Sequence, residues 1–193
     1  MKNTELLKKL EEINKPFYTI GDLEKITGLN RDSLYVFINR WIKAGILKRP
    51  LRGIYVPFDK EISVLKIASE VYIPNYLSFE SALSRYGILS LVPYTLTFAT
   101  TRKTKTYIIA DTEVVYRKIK KNLFFGYEEK DGIYIAFPEK AFLDHIYLFT
   151  KGLVSINLNE INLNKLSKKI LNEFTNNFPV NVQKFIKDEI KII

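Results

Sequence analysis

Residues 19–56 constrain what this chain can fold into more than any other stretch of it. Thr19 suits a helix N-cap, and Asp22 three positions later completes a capping-box pattern. Leu23 and Ile26 then give a short helix its apolar face. Gly28-Leu29-Asn30 reads as a tight turn, because glycine tolerates the left-handed backbone that ends a helix and Asn30 can cap the next one. A second helix is predicted over residues 31–44, stopped by Gly45. Two β-runs follow at 46–49 and 53–56, joined by a Pro50-Leu51-Arg52 tip. Helix, turn, amphipathic helix and basic hairpin, in that order, are the parts by which small regulators hold the DNA major groove: a winged helix-turn-helix.

On a 3.6-residue wheel, Leu34, Ile38, Trp41 and Ile42 of the second helix point to a core. Asp32, Ser33, Val36, Asn39, Arg40 and Lys43 fall on the opposite side, with Arg31 at the helix start. Arginine reads guanine bidentately and asparagine reads adenine, while Val36 suits a thymine methyl. Arg31, Ser33, Val36, Asn39 and Arg40 are therefore the expected base or phosphate contacts, with Lys43 at the far end on backbone phosphate. In the wing, Lys48, Arg49 and Arg52 crowd one tight loop, suited to the minor groove or its phosphates, whereas Tyr55 is equally suited to packing.

Charge follows the same division. The net charge is +9, with 11 Lys/Arg against 6 Asp/Glu over residues 1–58, 12 against 11 over 59–150, and 7 against 4 over 151–193. An anionic partner is the natural reading, and the excess sits in the suspected DNA-binding segment and the tail. The absence of cysteine excludes disulfides, thiolate metal sites and a cysteine nucleophile. A charged opening with no apolar run behind it gives no signal peptide, and no run is long enough to span a bilayer, so a cytoplasmic protein with no membrane partner is expected.

Leu6, Leu7, Leu10 and Ile13 give an opening helix one stripe, ended by Pro16, to complete a three-helix core. Pro57-Phe58-Asp59 marks a short, stiff boundary, so a DNA-binding domain over 1–58 and a second domain over 59–193 are expected. In the second, a connecting helix carries Ile62, Leu65, Ile67 and Ala68, and Ser78 caps a further helix closed by Gly87. Runs at 96–100, 107–110 and 113–116 are rich in β-branched and aromatic residues. The runs at 123–127 and 132–136 flank Lys130-Asp131-Gly132, a hairpin signal. Pro138 suits the first turn of a helix, with Glu139 beside its positive end. A repeated Ile-Asn-Leu-Asn at 156–159 and 161–164 is too short a series for a solenoid. Helices over about 164–174 and 180–192 finish the chain. The fold class is α+β: an N-terminal winged helix-turn-helix, then a mixed α/β domain with a helical tail from about residue 160.

The chemistry inventory is thin. The sole histidine, His145, lies on the apolar side of its helix and reads as a core residue before a catalyst. Asp111 with Glu128-Glu129-Lys130 loosely resembles the carboxylate-carboxylate-lysine set of a metal-dependent nuclease, but the second part runs into a hairpin tip where charges are normally solvated. No phosphate loop or nucleophile elbow is present. No catalytic residue, metal or cofactor is expected. A second basic cluster, Arg102, Lys103 and Lys105 with Arg117, Lys118, Lys120 and Lys121, forms another anion-binding surface if its two halves converge.

The order of parts resembles the AbiEi antitoxins of type IV toxin–antitoxin and phage-defence systems. The likeness is carried by the leading winged helix, by Tyr76-Leu77-Ser78-Phe79-Glu80-Ser81-Ala82-Leu83, by Leu91-Val92-Pro93 and by Thr97-Phe98-Ala99-Thr100. It is strongest at residues 135–144, where Pro138, Glu139, Lys140, Ala141 and Asp144 look like the family's Pro-Glu-Lys-Ala-x-x-Asp helix start. It covers roughly residues 5–150. The resemblance implies an autorepressor that binds repeated or inverted half-sites in operator DNA. It also implies a second domain that counters a nucleotidyltransferase toxin without a stable complex. The alternatives are a stand-alone winged-helix regulator with a ligand- or partner-sensing second domain, and the nuclease.

Overall fold

A computed structural model describes residues 3–190. The chain divides into two compact units: one runs to Ile67 and includes Ile108–Asp111, and the other comprises Ala68–Tyr107 and the chain from Thr112 onward. The division therefore falls inside a helix, nine residues after Phe58. The architecture is α+β, with an N-terminal helix-turn-helix and small sheet, a mixed β-sheet unit and a helical tail.

In the first unit, α1 (Asn3–Ile13), α2 (Ile20–Thr27) and α3 (Arg31–Lys43) surround a core of Leu6, Leu10, Leu23, Leu34, Ile38 and Trp41. Each large side chain buried there contributes about 2 kcal/mol. Only Leu6 and Leu10 of the opening stripe are buried; Leu7 and Ile13 stay exposed. The capping box forms: the Asp22 amide donates to Thr19 Oγ1 at 3.2 Å and the Thr19 amide to Asp22 Oδ2 at 2.8 Å. Gly28 ends α2 at φ 69°, and Asn30 caps α3 by accepting from the Ser33 amide at 2.9 Å. The strands β1 (Tyr18–Thr19), β2 (Leu47–Leu51) and β3 (Ile54–Pro57) form an antiparallel sheet in the order β1-β3-β2. The hairpin tip is Arg52-Gly53, not Pro50-Leu51-Arg52. Register shifts between Lys48 and Leu51, and this irregularity lets the strand continue past Pro50, which has no amide to give the ladder.

The second unit is built on a six-stranded sheet ordered β6-β7-β5-β4-β9-β8. Its strands are β4 (Asn75–Leu77), β5 (Leu96–Thr100), β6 (Lys105–Ile109), β7 (Thr112–Lys118), β8 (Tyr127–Lys130) and β9 (Ile133–Ala136). The β5/β7 and β4/β9 pairs are parallel; β4/β5 and β8/β9 are antiparallel. The helix α4 (Val64–Val71) leads into this sheet, and α5 (Phe79–Arg85) follows β4. Next comes α6 (Pro138–Phe149), buried from Glu139 to Leu148. The 123–127 run is a short 3-10 turn over Lys121–Leu123 with β8 starting only at Tyr127, so the Asp131-Gly132 hairpin is shorter than expected. The Ile-Asn-Leu-Asn repeat folds as two matching 3-10 turns, with Asn157 and Asn162 each accepting from the amide two residues on. The tail helices are α7 (Lys168–Thr175) and α8 (Val180–Phe185), the latter continuing as a π-type turn over Ile186–Ile190. Ile192, the expected end of the last helix, lies outside the described residues.

Candidate nucleic-acid interface

The helix α3 sorts its residues by periodicity. Leu34, Ile38 and Trp41 are buried and Ile42 packs against the core, which turns Arg31, Asp32, Val36, Asn39, Arg40 and Lys43 outward. Ser33 is half-buried, its amide held by the Asn30 cap. Arg31 is already engaged: its Nε lies 3.1 Å from Glu24 Oε1 across the turn. The Arg40 guanidinium sits 5.7 Å from the Phe37 ring centroid, a stack that orders the arginine stem.

In the wing, Arg49 and Arg52 are exposed, whereas Lys48 is half-buried. The Lys48 ammonium donates to the Lys60 carbonyl at 2.5 Å and lies 5.5 Å from the Phe58 ring. Tyr55 packs, at 2% exposure. Burial pushes its phenol up, while the Arg49 and Arg52 charges oppose this and Tyr35 adds to it, so these groups surround one ring. Tyr35 is the residue that sequence reasoning passed over. It is exposed on α3 beside Val36 and borders the wing arginines through Tyr55; its position one turn after Arg31 was the available signal.

The 101–105 segment and the end of β7, which carry the two halves of the second basic cluster, lie side by side. Thr100 pairs with Lys118, and the Lys118 amide donates to Thr104 Oγ1 at 3.1 Å, which brings the 101–105 segment against the end of β7. Lys103, Lys118, Lys120 and Lys121 are exposed there. Arg102 stacks 4.3 Å from the Tyr72 ring centroid and donates to the Ile73 carbonyl, and Lys105 lies 4.6 Å from the Tyr107 ring. Arg117 leaves the cluster. Strand alternation turns it to the opposite face from Lys118, where both Glu80 oxygens accept from its Nη1 at 2.8 Å.

The Pro138–Asp144 motif is interior. Pro138 opens α6, and Glu139, Lys140 and Asp144 are all buried. A helix buried all round must partner every polar side chain it carries, because an uncompensated charge there costs several kcal/mol. Glu139 accepts from the Ser167 amide, at the start of α7, at 2.7 Å. Lys140 donates to Asp144 and to Tyr76 Oη, and its Nζ lies 5.1–5.3 Å from the Phe125, Phe178 and Tyr76 ring centroids. Asp144 also accepts from Tyr76 at 2.8 Å and Ser78 at 2.9 Å. Burial pushes the Asp144 carboxyl up and the Lys140 ammonium down, and their mutual hydrogen bond opposes both.

Ser78 therefore makes no side-chain cap on α5, since its hydroxyl goes to Asp144. Ser81 and Thr97 close that helix start instead, with the Ser81 amide donating to Thr97 Oγ1 at 3.2 Å. Nothing local in the sequence signalled that the Tyr76 and Ser78 hydroxyls meet Asp144, 68 and 66 residues away.

The fold has a solved counterpart. The crystal structure of the RV2827C protein from Mycobacterium tuberculosis is similar, with a TM-score of 0.64 over 93% of this chain and 72% of that one, at 14% sequence identity. At that identity the likeness is one of fold. No family model matches the chain, and no curated protein does.

Among the described residues, no three His, Asp or Glu side chains group to hold a metal ion. Asp111 sits exposed in the β6–β7 turn and Glu128, Glu129 and Lys130 lie exposed on β8, an outer strand of the sheet. No described helix is long and apolar enough to cross a membrane.

Proposed function

We propose that this chain is a DNA-binding transcriptional autorepressor and the antitoxin partner of a nucleotidyltransferase toxin, of the AbiEi kind. The observation that carries the DNA half is the outward face of α3. A core-anchored helix behind a capped turn presents Arg31, Val36, Asn39 and Arg40, and Arg49 and Arg52 stand exposed in the adjoining wing. The promoter is occluded, with one winged unit per half-site of the operator. Val36, Asn39 and Arg40 read bases, while Lys43, Arg49 and Arg52 hold phosphate. The antitoxin half rests on the resemblance of residues 135–144 and on the shared order of parts.

Mobility-shift titrations against the chain's own upstream DNA and against random DNA test the first half. Arg40→Ala is expected to lose about 1–3 kcal/mol on operator DNA and much less on random DNA, whereas Arg52→Ala weakens both alike. Equal losses on both DNAs for both variants overturn the base-reading assignment. Co-expression with the adjacent open reading frame tests the second half: full-length Arg40→Ala, defective on the operator, is expected still to rescue growth. Failure of the wild-type chain to rescue overturns the antitoxin reading and leaves the regulator intact.

A further inference from the structure

A cavity of about 580 Å³ opens in the second unit between α5, the 88–94 segment and the 155–161 segment. Much of its wall is apolar, from Leu83, Leu89, Leu91, Val92, Ile156 and Ile161. The two segments are tied together. Leu89 bridges Ile161, the Asn162 amide donates to the Ile88 carbonyl at 2.8 Å, and the Ser90 amide donates to the Glu160 carbonyl at 3.1 Å. The site is thus held open by main-chain bonds rather than by side chains alone, and its size is in the range of small-molecule pockets.

Polar side chains line it as well, Tyr94, Ser155, Asn157 and Glu160 together with Glu80 and His145, and of these His145 is the one with a buried atom left unpartnered. His145 is 5% exposed, and its Nδ1 is buried without a hydrogen-bond partner. The ring has a main-chain hydrogen bond with Ser155, and because Nδ1 is unpartnered we assign that bond to the other nitrogen. Burial holds the imidazole below its ordinary 6.5, and Arg117 adds to this, so near neutral pH the ring is uncharged and Nδ1 is an acceptor. Facing it at 3.6 Å is Glu80 Oε1. Burial raises the Glu80 carboxyl, but His145 and Arg117 together bring it below its ordinary value, so it too is an acceptor. Nδ1 thus faces a carboxylate oxygen that already accepts from Arg117, and it has no protein donor of its own, in a wall where an unmade hydrogen bond is costly. A cationic ligand is disfavoured, because Arg117 already neutralises Glu80 and its charge opposes a second one.

We infer that this cavity binds a small neutral molecule with an apolar body and one N–H or O–H group, which donates to His145 Nδ1 beside Glu80. The bond supplies the donor that the protein lacks, and the apolar body covers the Leu–Val–Ile wall. This gives the second unit a ligand-sensing capacity separate from DNA or toxin.

His145 is the sole histidine of the chain, so its ring signals in an NMR spectrum are unambiguous. The intact protein is titrated with indole and with 1-methylindole, which has the same body without the donor. Indole is expected to shift the His145 ring signals saturably, with a Kd of about 1 mM or below. The methylated probe should bind about tenfold more weakly. Glu80→Gln places a side-chain amide where it can donate to Nδ1 internally, and is expected to weaken indole binding by a similar factor. No shift with either probe, or equal affinity for both, overturns the inference, as does unchanged affinity in a folded Glu80→Gln variant. The two-probe comparison on the wild-type chain decides the matter if that variant does not fold.

Discussion

Lys140 and Asp144, one turn apart on α6, form an ion pair in which both side chains are wholly cut off from solvent. Two hydroxyls, from Tyr76 and Ser78, complete the carboxylate's shell, and three aromatic rings surround the ammonium. The pair joins α6 to β4, at the centre of the six-stranded sheet, and no part of it is presented to a partner. Removing one member leaves the other buried and uncompensated. Asp144→Ala is expected to cost about 3–5 kcal/mol in urea unfolding, while the double variant Lys140→Met/Asp144→Leu recovers most of that loss. A single-variant loss under about 1 kcal/mol would show that the motif is not structural.

The same ammonium stem explains a glycine. Gly126 has φ 69°, and a Cβ there would lie 3.1 Å from Lys140 Cγ and 3.2 Å from the Phe174 ring. Gly126→Ala meets both a left-handed backbone and two packed neighbours, and is expected to destabilise by about 1–3 kcal/mol. Equilibrium unfolding reads this directly, and a neutral or stabilising result would mean that the 123–127 segment relaxes freely.

The helix-turn-helix was legible because its signals are local. Thr19 with Asp22, Gly28, Asn30 and the apolar spacing of Leu34, Ile38 and Trp41 all act within a few residues of one another. The second unit was legible mostly as a list of elements. Its parallel pairs, β5 with β7 and β4 with β9, join strands far apart in sequence, and nothing in a strand's own residues names its partner. β4 escaped notice because only three residues long, and the fate of the Ser78 hydroxyl depended on Asp144, 66 residues away. Arg117 looked like surface charge until Glu80, 37 residues away in sequence, came to meet it. The Asn157 and Asn162 turns were visible as a repeat but not as a shape, since side-chain amides capping 3-10 turns compete with longer helices.

Stability should depend on pH in two steps. His145 titrates below its ordinary 6.5 in the folded chain, chiefly through burial, so the unfolded chain takes up the proton first as pH falls. The stabilisation is complete above about pH 6.5 and is lost progressively below it, down to the folded value. Glu80, held below its ordinary 4.5 by His145 and Arg117 against burial, gives a second loss as pH falls below that range. Urea midpoints measured from pH 8 to 3 should show both steps, and His145→Gln should remove the first and shrink the second, because His145 helps to hold the Glu80 carboxyl down. Persistence of the upper step in that variant would assign it to another group.

Lys48 and the wing arginines should separate. The Lys48 ammonium is bound to the Lys60 carbonyl and to the Phe58 ring, while Arg49 and Arg52 are exposed. Lys48→Ala is expected to cost about 1 kcal/mol of stability and to change DNA affinity less than Arg49→Ala or Arg52→Ala. Shift assays at fixed salt, with melting curves on the same samples, give both quantities. A Lys48→Ala loss on DNA equal to that of Arg52→Ala would mean that the lysine leaves Lys60 when DNA arrives.

Glu24 controls the remaining cation at the head of α3. Its carboxylate lies 3.1 Å from Arg31 Nε, on a largely exposed pair worth little to stability. On the DNA-binding reading proposed above, its effect on binding is expected to be larger, because it places a negative charge beside the helix N-terminus, where a phosphate would otherwise be favoured. Glu24→Ala should tighten DNA binding a few-fold at low salt by releasing Arg31 and removing that repulsion. If Arg31 then holds a phosphate, the slope of log affinity against log salt steepens by about 0.9, and adding Arg31→Ala restores it. If Arg31 instead reads a base, the gain is confined to operator DNA and the slope is unchanged. A loss of affinity in Glu24→Ala would reverse this account: the carboxylate would then be holding Arg31 in its binding position rather than withholding it.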